Sequence, residues 1–135
     1  MKKEKQQNQE EPKFDFRSIK SFEDACKKEN ISTDLPKLEN GCQELLKPII
    51  AAYKLMVIFK AINHDWTADW SNTTQKKWFP WFWVHPSGVS FSRSGTYYDY
   101  ECTSVGSRLC CESDEKCQYI AETFTEEYKD FLLYR

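Results

Sequence analysis

Six cysteines and two histidines are the residues of this 135-residue sequence best suited to nucleophilic or metal chemistry, and their spacing favours neither. The cysteines stand at positions 26, 42, 102, 110, 111 and 117, with no Cys-x-x-Cys pair of the kind that closes a tetrahedral zinc site. Cys110 and Cys111 are adjacent, and neighbours on a strand point to opposite faces, so the two do not share a metal. Only a set drawn from Cys102, one of that pair and Cys117 could assemble one, and packed thiols are the simpler reading. His64, in Asn63-His64-Asp65, has a carboxylate beside it, but a solvated imidazole favoured by a helix C-terminus accounts for it as well. His85 opens a turn. A cysteine hydrolase needs a thiol set by a helix end against an imidazole, and no cysteine has that setting. No catalytic residue, metal ligand or cofactor is therefore assigned, and a small hydrolase ranks last among the functions considered.

Binding chemistry is better represented. Lys76-Lys77 precedes Trp78-Phe79-Pro80-Trp81-Phe82-Trp83-Val84, with Trp66 and Trp70 just upstream. Exposed rings beside cations are how proteins stack the bases of single-stranded nucleic acid. Rings also fill cores, and this chain is 16% aromatic with only four glycines. Strand alternation puts Trp78, Pro80 and Phe82 on one face and Phe79, Trp81 and Trp83 on the other, so at least one aromatic face must be covered. Ser104-Val105-Gly106-Ser107-Arg108 could hold a phosphate on backbone N–H groups and Arg108, but with a single glycine a strand bulge at Gly106 is the better account. The candidate binding residues are thus Trp66, Trp70, Lys76, Lys77, Trp78, Trp81, Trp83 and Arg108. Residues 1–60 carry 12 Lys/Arg against 10 Asp/Glu, and residues 61–135 carry 7 against 11. The acidic second half disfavours a duplex-DNA or anionic-membrane footprint and tips the aromatic region toward a protein partner over single-stranded nucleic acid.

These residues need a scaffold. Residues 1–13 form a Lys/Glu/Gln tract too polar to offset its ordering entropy, and a disordered tail is expected over 1–17 ahead of one domain over 18–135. Ser21-Phe22-Glu23-Asp24 has the form of a helix cap, predicting a helix to about Glu29 with Phe22, Ala25 and Cys26 on one face. From Leu38 to Asn63 the chain is helical in character, Pro48 starting or kinking the long segment. Ile49 to Ile62 is apolar on nearly every side, as a surrounded central helix requires. Residues 78–93 read as a β-hairpin through the turn His85-Pro86-Ser87-Gly88, with Val89-Ser90-Phe91-Ser92 resuming the alternation. Residues 97–111 add strand-like material. Ser113 caps a last helix whose Cys117, Ile120, Ala121, Phe124, Tyr128, Phe131 and Leu132 make an amphipathic stripe packed on the sheet. The class is α+β: N-terminal helices with a buried central helix, a small antiparallel sheet and a C-terminal amphipathic helix.

The opening Met1-Lys2-Lys3-Glu4-Lys5-Gln6 has no apolar signal region, so reduced thiols and a cytoplasmic setting are expected. The apolar run from Ile49 to Ile62 is interrupted by Lys54 and Lys60 and is too short to span a bilayer. Five stretches resemble a family of small uncharacterised proteins of Bacteroides-type gut bacteria and their phages and mobile elements. They are Ile19–Cys26, Asp65–Trp70, Lys77–Phe82, Ser104–Cys110 and Tyr128–Leu133. The resemblance covers nearly everything beyond residue 17 and implies a bacterial or phage cytosolic setting, but no activity or site residue. The function expected is a non-enzymatic interaction or structural module that meets an unidentified protein partner, or a second copy of itself, through its aromatic region.

Overall fold

The computed structural model of the chain describes residues 13–84 and 91–133, with residues 91–94 given as backbone alone. Helix α1 (Phe22–Glu29) opens as its sequence requires: the Ser21 hydroxyl accepts from the Asp24 N–H at 3.1 Å, and the Asp24 carboxylate accepts from the Lys20 N–H at 3.0 Å. The exchange satisfies donors that a helix start leaves orphaned. Asn30 ends the helix at φ 55°, letting the Ile31 N–H close on the Cys26 carbonyl at 3.0 Å. The residues α1 buries are Phe22, Ala25 and Cys26.

Helix α2 (Leu46–Asn63) carries Pro48 in its first turn, where the missing N–H had no helical partner to lose. Residues 38–42 are irregular and Gln43–Leu45 make one 3-10 turn, so the helix expected from Leu38 begins later, at the first place that accommodates the proline. Leu55, Ile58, Phe59, Ala61 and Ile62 have no solvent exposure, because α1, a C-terminal helix and the turn at 107–109 surround this stretch. At the helix end, the buried Asn63 amide donates to the Cys110 carbonyl at 2.8 Å and accepts from the Glu112 N–H at 3.3 Å. Both ends of that amide are satisfied, and residues 110–112 are thereby tied to α2.

Strands β1 (Lys77–Val84) and β2 (Phe91–Asp99) pair antiparallel, Lys77 opposite Asp99 and Val84 opposite Phe91, with one residue of β2 skipped between the partners of Trp81 and Phe82. The connecting turn expected at His85–Gly88, like Val89 and Ser90, lies outside the described residues. On its other edge β1 bridges Cys111, Trp78 and Cys111 exchanging N–H to carbonyl bonds of 3.0 and 2.8 Å. Pro80 stands two residues on and faces the same edge. The N–H it lacks would have pointed away from β2, so the ladder loses nothing.

Several expectations are corrected. Of residues 97–111, only 97–99, within β2, and Cys111, at its bridge, belong to the sheet: β2 stops at Asp99, whose carboxylate accepts the N–H groups of Tyr100, Glu101 and Cys102 at 2.7, 3.1 and 3.2 Å and curls the chain away. Gly106 is not a bulge; at φ 75° it leads into a 3-10 turn, Ser107–Leu109, and the sheet's irregularity lies at Trp81/Phe82 instead. The single C-terminal helix is two, α3 (Asp114–Thr123) and α4 (Thr125–Leu132), broken at Phe124 with ψ 37°. There the Thr125 hydroxyl donates to the Ala121 carbonyl at 2.9 Å, taking the acceptor its own N–H would have used. The break lets α3 face the hairpin while α4 lies along α2. Ser113 caps α3 by accepting from the Lys116 N–H at 3.2 Å. The stripe is buried from Cys117 through Tyr128, although Leu132 is exposed.

The tail expected over residues 1–17 is corrected at its end. Residues 1–12 lie outside the described residues, but Phe14 and Phe16 pack on the core. Asp15 caps a 3-10 turn, Phe16–Ser18, Arg17 pairs with Glu115, and the Tyr119 hydroxyl donates to the Ile19 carbonyl at 2.6 Å. Two rings in five residues supply the apolar area that the preceding polar tract lacks. The class is α+β. Among the described residues no helix is long and apolar enough to cross a membrane.

Candidate binding surfaces

The hairpin separates the aromatic run by face, as alternation requires. On the inner face, Trp78 and Phe82 pack against the core, the Phe82 ring 4.6 Å from that of Tyr128. This side is covered by α3 and α4. On the outer face Phe79 is buried and lines a groove with residues 102–104, whereas Trp81 is 53% and Trp83 62% exposed. Tyr97, the cross-strand partner of Phe79, is 47% exposed and completes the row. Gly95 lies opposite Trp81 at φ 152°, and a Cβ built there would meet nothing within 4 Å. The groove between the strands and residues 102–104 therefore stays open, with a volume of about 660 Å³.

The candidate residues consequently do not form one surface. Trp81 and Trp83 lie on the outer face. Lys76 is exposed on the opposite one, its ammonium 4.5 Å above the Tyr98 ring and 5.9 Å above that of Trp78, itself half-buried. Lys77 is removed from any binding role: it is fully buried, and its ammonium donates to the carbonyls of Asn72, Gln75 and Tyr100 at 3.1, 3.1 and 2.8 Å. It also sits 4.9 Å over the ring of Trp70, so both residues serve to hold the loop before β1. Asp69 and Asn72 brace the same loop by accepting the N–H groups of Ser71 and Thr74, each at 3.0 Å. Among charged groups lysine alone combines a compact donor head with a stem long enough to reach all three carbonyls.

Trp66 and Arg108 meet in a second groove of about 470 Å³ at the end of α2, with Tyr53, Lys60 and His64. The His64 ring stacks on Phe14 at 4.7 Å, and its Nε2 lies 3.3 Å from the Asp65 carboxylate. The imidazole is thus engaged with the N-terminal segment as well as exposed.

Tyr97, Phe79 and Asp99 were not among the residues singled out from sequence. Their signal was available in alternation: with Tyr98 and Tyr100 on one face, Tyr97 and Asp99 fall on the other. What was missing was the register that sets them against Phe79 and Trp81. The cysteines divide differently. All six are free, Cys42 and Cys102 exposed and the other four buried. Burial raises the Cys111 thiol well above its ordinary value, and a hydrogen bond with Cys117 adds to the shift. Cys102 lies on the outer groove, apart from that core pair, and among the described residues no group of three or more His, Cys, Asp or Glu could hold a metal ion.

No family model matches the chain, and neither a curated protein nor a solved structure matches it.

Proposed function

We propose that this protein is a non-enzymatic binding module that engages a protein partner through the outer face of its hairpin, inside a bacterial cell. One observation carries the reading: Trp81, Trp83 and Tyr97 stand exposed on the outer face, while the same strand turns Trp78 and Phe82 into the core. Exposed Trp and Tyr clusters are what partner-binding surfaces concentrate, because large rigid rings give contact area at low entropic cost.

The test is a retention experiment with the full chain and its Trp81→Ala/Trp83→Ala variant, each checked by a denaturant melt. The double variant is expected to stay folded, since both rings are mostly solvated, and to lose the protein that the unmodified chain retains after nuclease treatment. Retention of the same proteins by both chains would overturn the reading.

A second reading rests on the other groove, where Trp66 and Tyr53 lie with Lys60 and Arg108 and, among the described residues, no carboxylate lines the wall. Ring and cation together suit a single strand of nucleic acid, with stacking supplying affinity and the cations meeting phosphates. It predicts tryptophan quenching by oligonucleotides that fades as salt rises, and salt-insensitive or absent quenching counts against it.

A further inference from the structure

The outer groove is more than apolar. Phe79 and Tyr97 meet edge-on with ring centroids 5.0 Å apart, and the Trp81 ring is tilted 49° to Tyr97 with centroids 6.0 Å apart. Three rings at angles to one another thus line the groove, and Asp99 lines it as well. The Tyr97 hydroxyl donates to Asp99 Oδ2 at 3.2 Å. Backbone N–H groups of Glu101, Cys102 and Tyr100 hold the Asp99 carboxyl below the usual carboxylate range, so it is an anion at neutral pH. The bond to that anion pushes the Tyr97 phenol up, so it keeps its proton and remains the donor. A phenol donating to an anion carries extra electron density in its ring, which deepens the negative face a cation seeks. The chain makes such contacts elsewhere, with Lys76 over Tyr98 and Lys77 over Trp70.

We infer that the groove bounded by Phe79, Trp81, Tyr97 and Asp99 receives a lysine or arginine side chain from a basic segment of a protein partner. This rests on the reading of the outer face as the binding surface and names the chemistry it selects. The alkyl stem lies along Phe79 and Trp81, the charged head meets the Tyr97 face, and Asp99 supplies the opposite charge. A nucleic-acid backbone, being anionic, is repelled by the same carboxylate.

The test uses the full-length, isotope-labelled chain and two short acetylated Gly/Ser peptides, one carrying a single lysine and the other norleucine in its place. Norleucine keeps the butyl stem and removes the charge. The lysine peptide is expected to shift the Trp81 indole and Tyr97 signals and to bind about threefold to thirtyfold more tightly than its partner peptide, the span of cation–ring energies from exposed to desolvated sites. Asp99→Asn, whose amide oxygen can still accept the three backbone N–H groups, should bring that ratio toward one without changing norleucine affinity. Equal binding of the two peptides at these signals would overturn the cation preference while leaving the outer face a binding surface. Shifts confined to other residues, no shift with either peptide, or concentration-dependent self-association that protects Trp81 would also overturn it. The retention experiment separately decides whether the face binds protein at all.

Discussion

Phe124→Ala is expected to lower the unfolding free energy by about 3–5 kcal/mol, the usual range for deleting a buried phenyl group. Phe124 is 2% exposed and stands at the break between α3 and α4, with its ring against Tyr119 at 6.5 Å. Its loss would empty the space where the helix facing the hairpin meets the helix lying on α2, so the surrounding elements cannot collapse to fill it independently. For a small domain whose total stability is about 5–15 kcal/mol, the variant should be largely unfolded or insoluble. Glu126→Ala, two residues on, removes an exposed partner of Lys129 and should cost less than about 0.5 kcal/mol. Matched denaturant melts decide it: equally mild effects would show that the C-terminal stripe does not pack as described.

Lys77→Met should cost about 2–4 kcal/mol. Methionine preserves the stem's volume and apolar contacts but strands the carbonyls of Asn72, Gln75 and Tyr100, which accept the ammonium. An unsatisfied buried acceptor costs about 1–3 kcal/mol, and one of these three, that of Asn72, belongs to an exposed residue that can turn to water, which keeps the total below the simple sum. The loss should be felt first in the loop the ammonium gathers, so the fluorescence of Trp70 should shift to the red before global unfolding. A variant as stable as the parent, with unchanged Trp70 emission, would mean that the ammonium is solvated.

The contrast between these two residues shows what the sequence could convey. Phe124 is legible because helical periodicity is a local property: the stripe from Cys117 to Tyr128 repeats every three or four residues whatever the tertiary context. The caps at Ser21 and Ser113 are legible for the same reason. Lys77 is not, because a lysine beside an exposed lysine and a tryptophan run reads as a solvated cation. Its burial depends on Tyr100, twenty-three residues away, coming back across the sheet. The strand expected beyond Asp99 fails similarly, since one carboxylate collecting three backbone N–H groups outweighs the β propensity of the residues that follow. Alternation divided Trp78 and Phe82 from Trp81 and Trp83 correctly, but only the helices decide which face is covered. That choice separates core from candidate site. The scatter of Trp66, Trp70, Lys76 and Arg108 away from Trp81 has the same origin, because closeness in sequence across a loop and a strand does not fix closeness in space.

Photocross-linking from two positions compares the outer face with the second groove most directly. A benzophenone side chain in place of Trp83 and, separately, in place of Trp66 should be tolerated, since Trp83 is exposed and Trp66 half-buried. Irradiation in the cells that make the protein is predicted to give a discrete protein adduct from position 83, absent when Trp81→Ala is added, and none from position 66. A protein or nucleic-acid adduct from position 66 alone would contradict the account and move the functional surface to the end of α2.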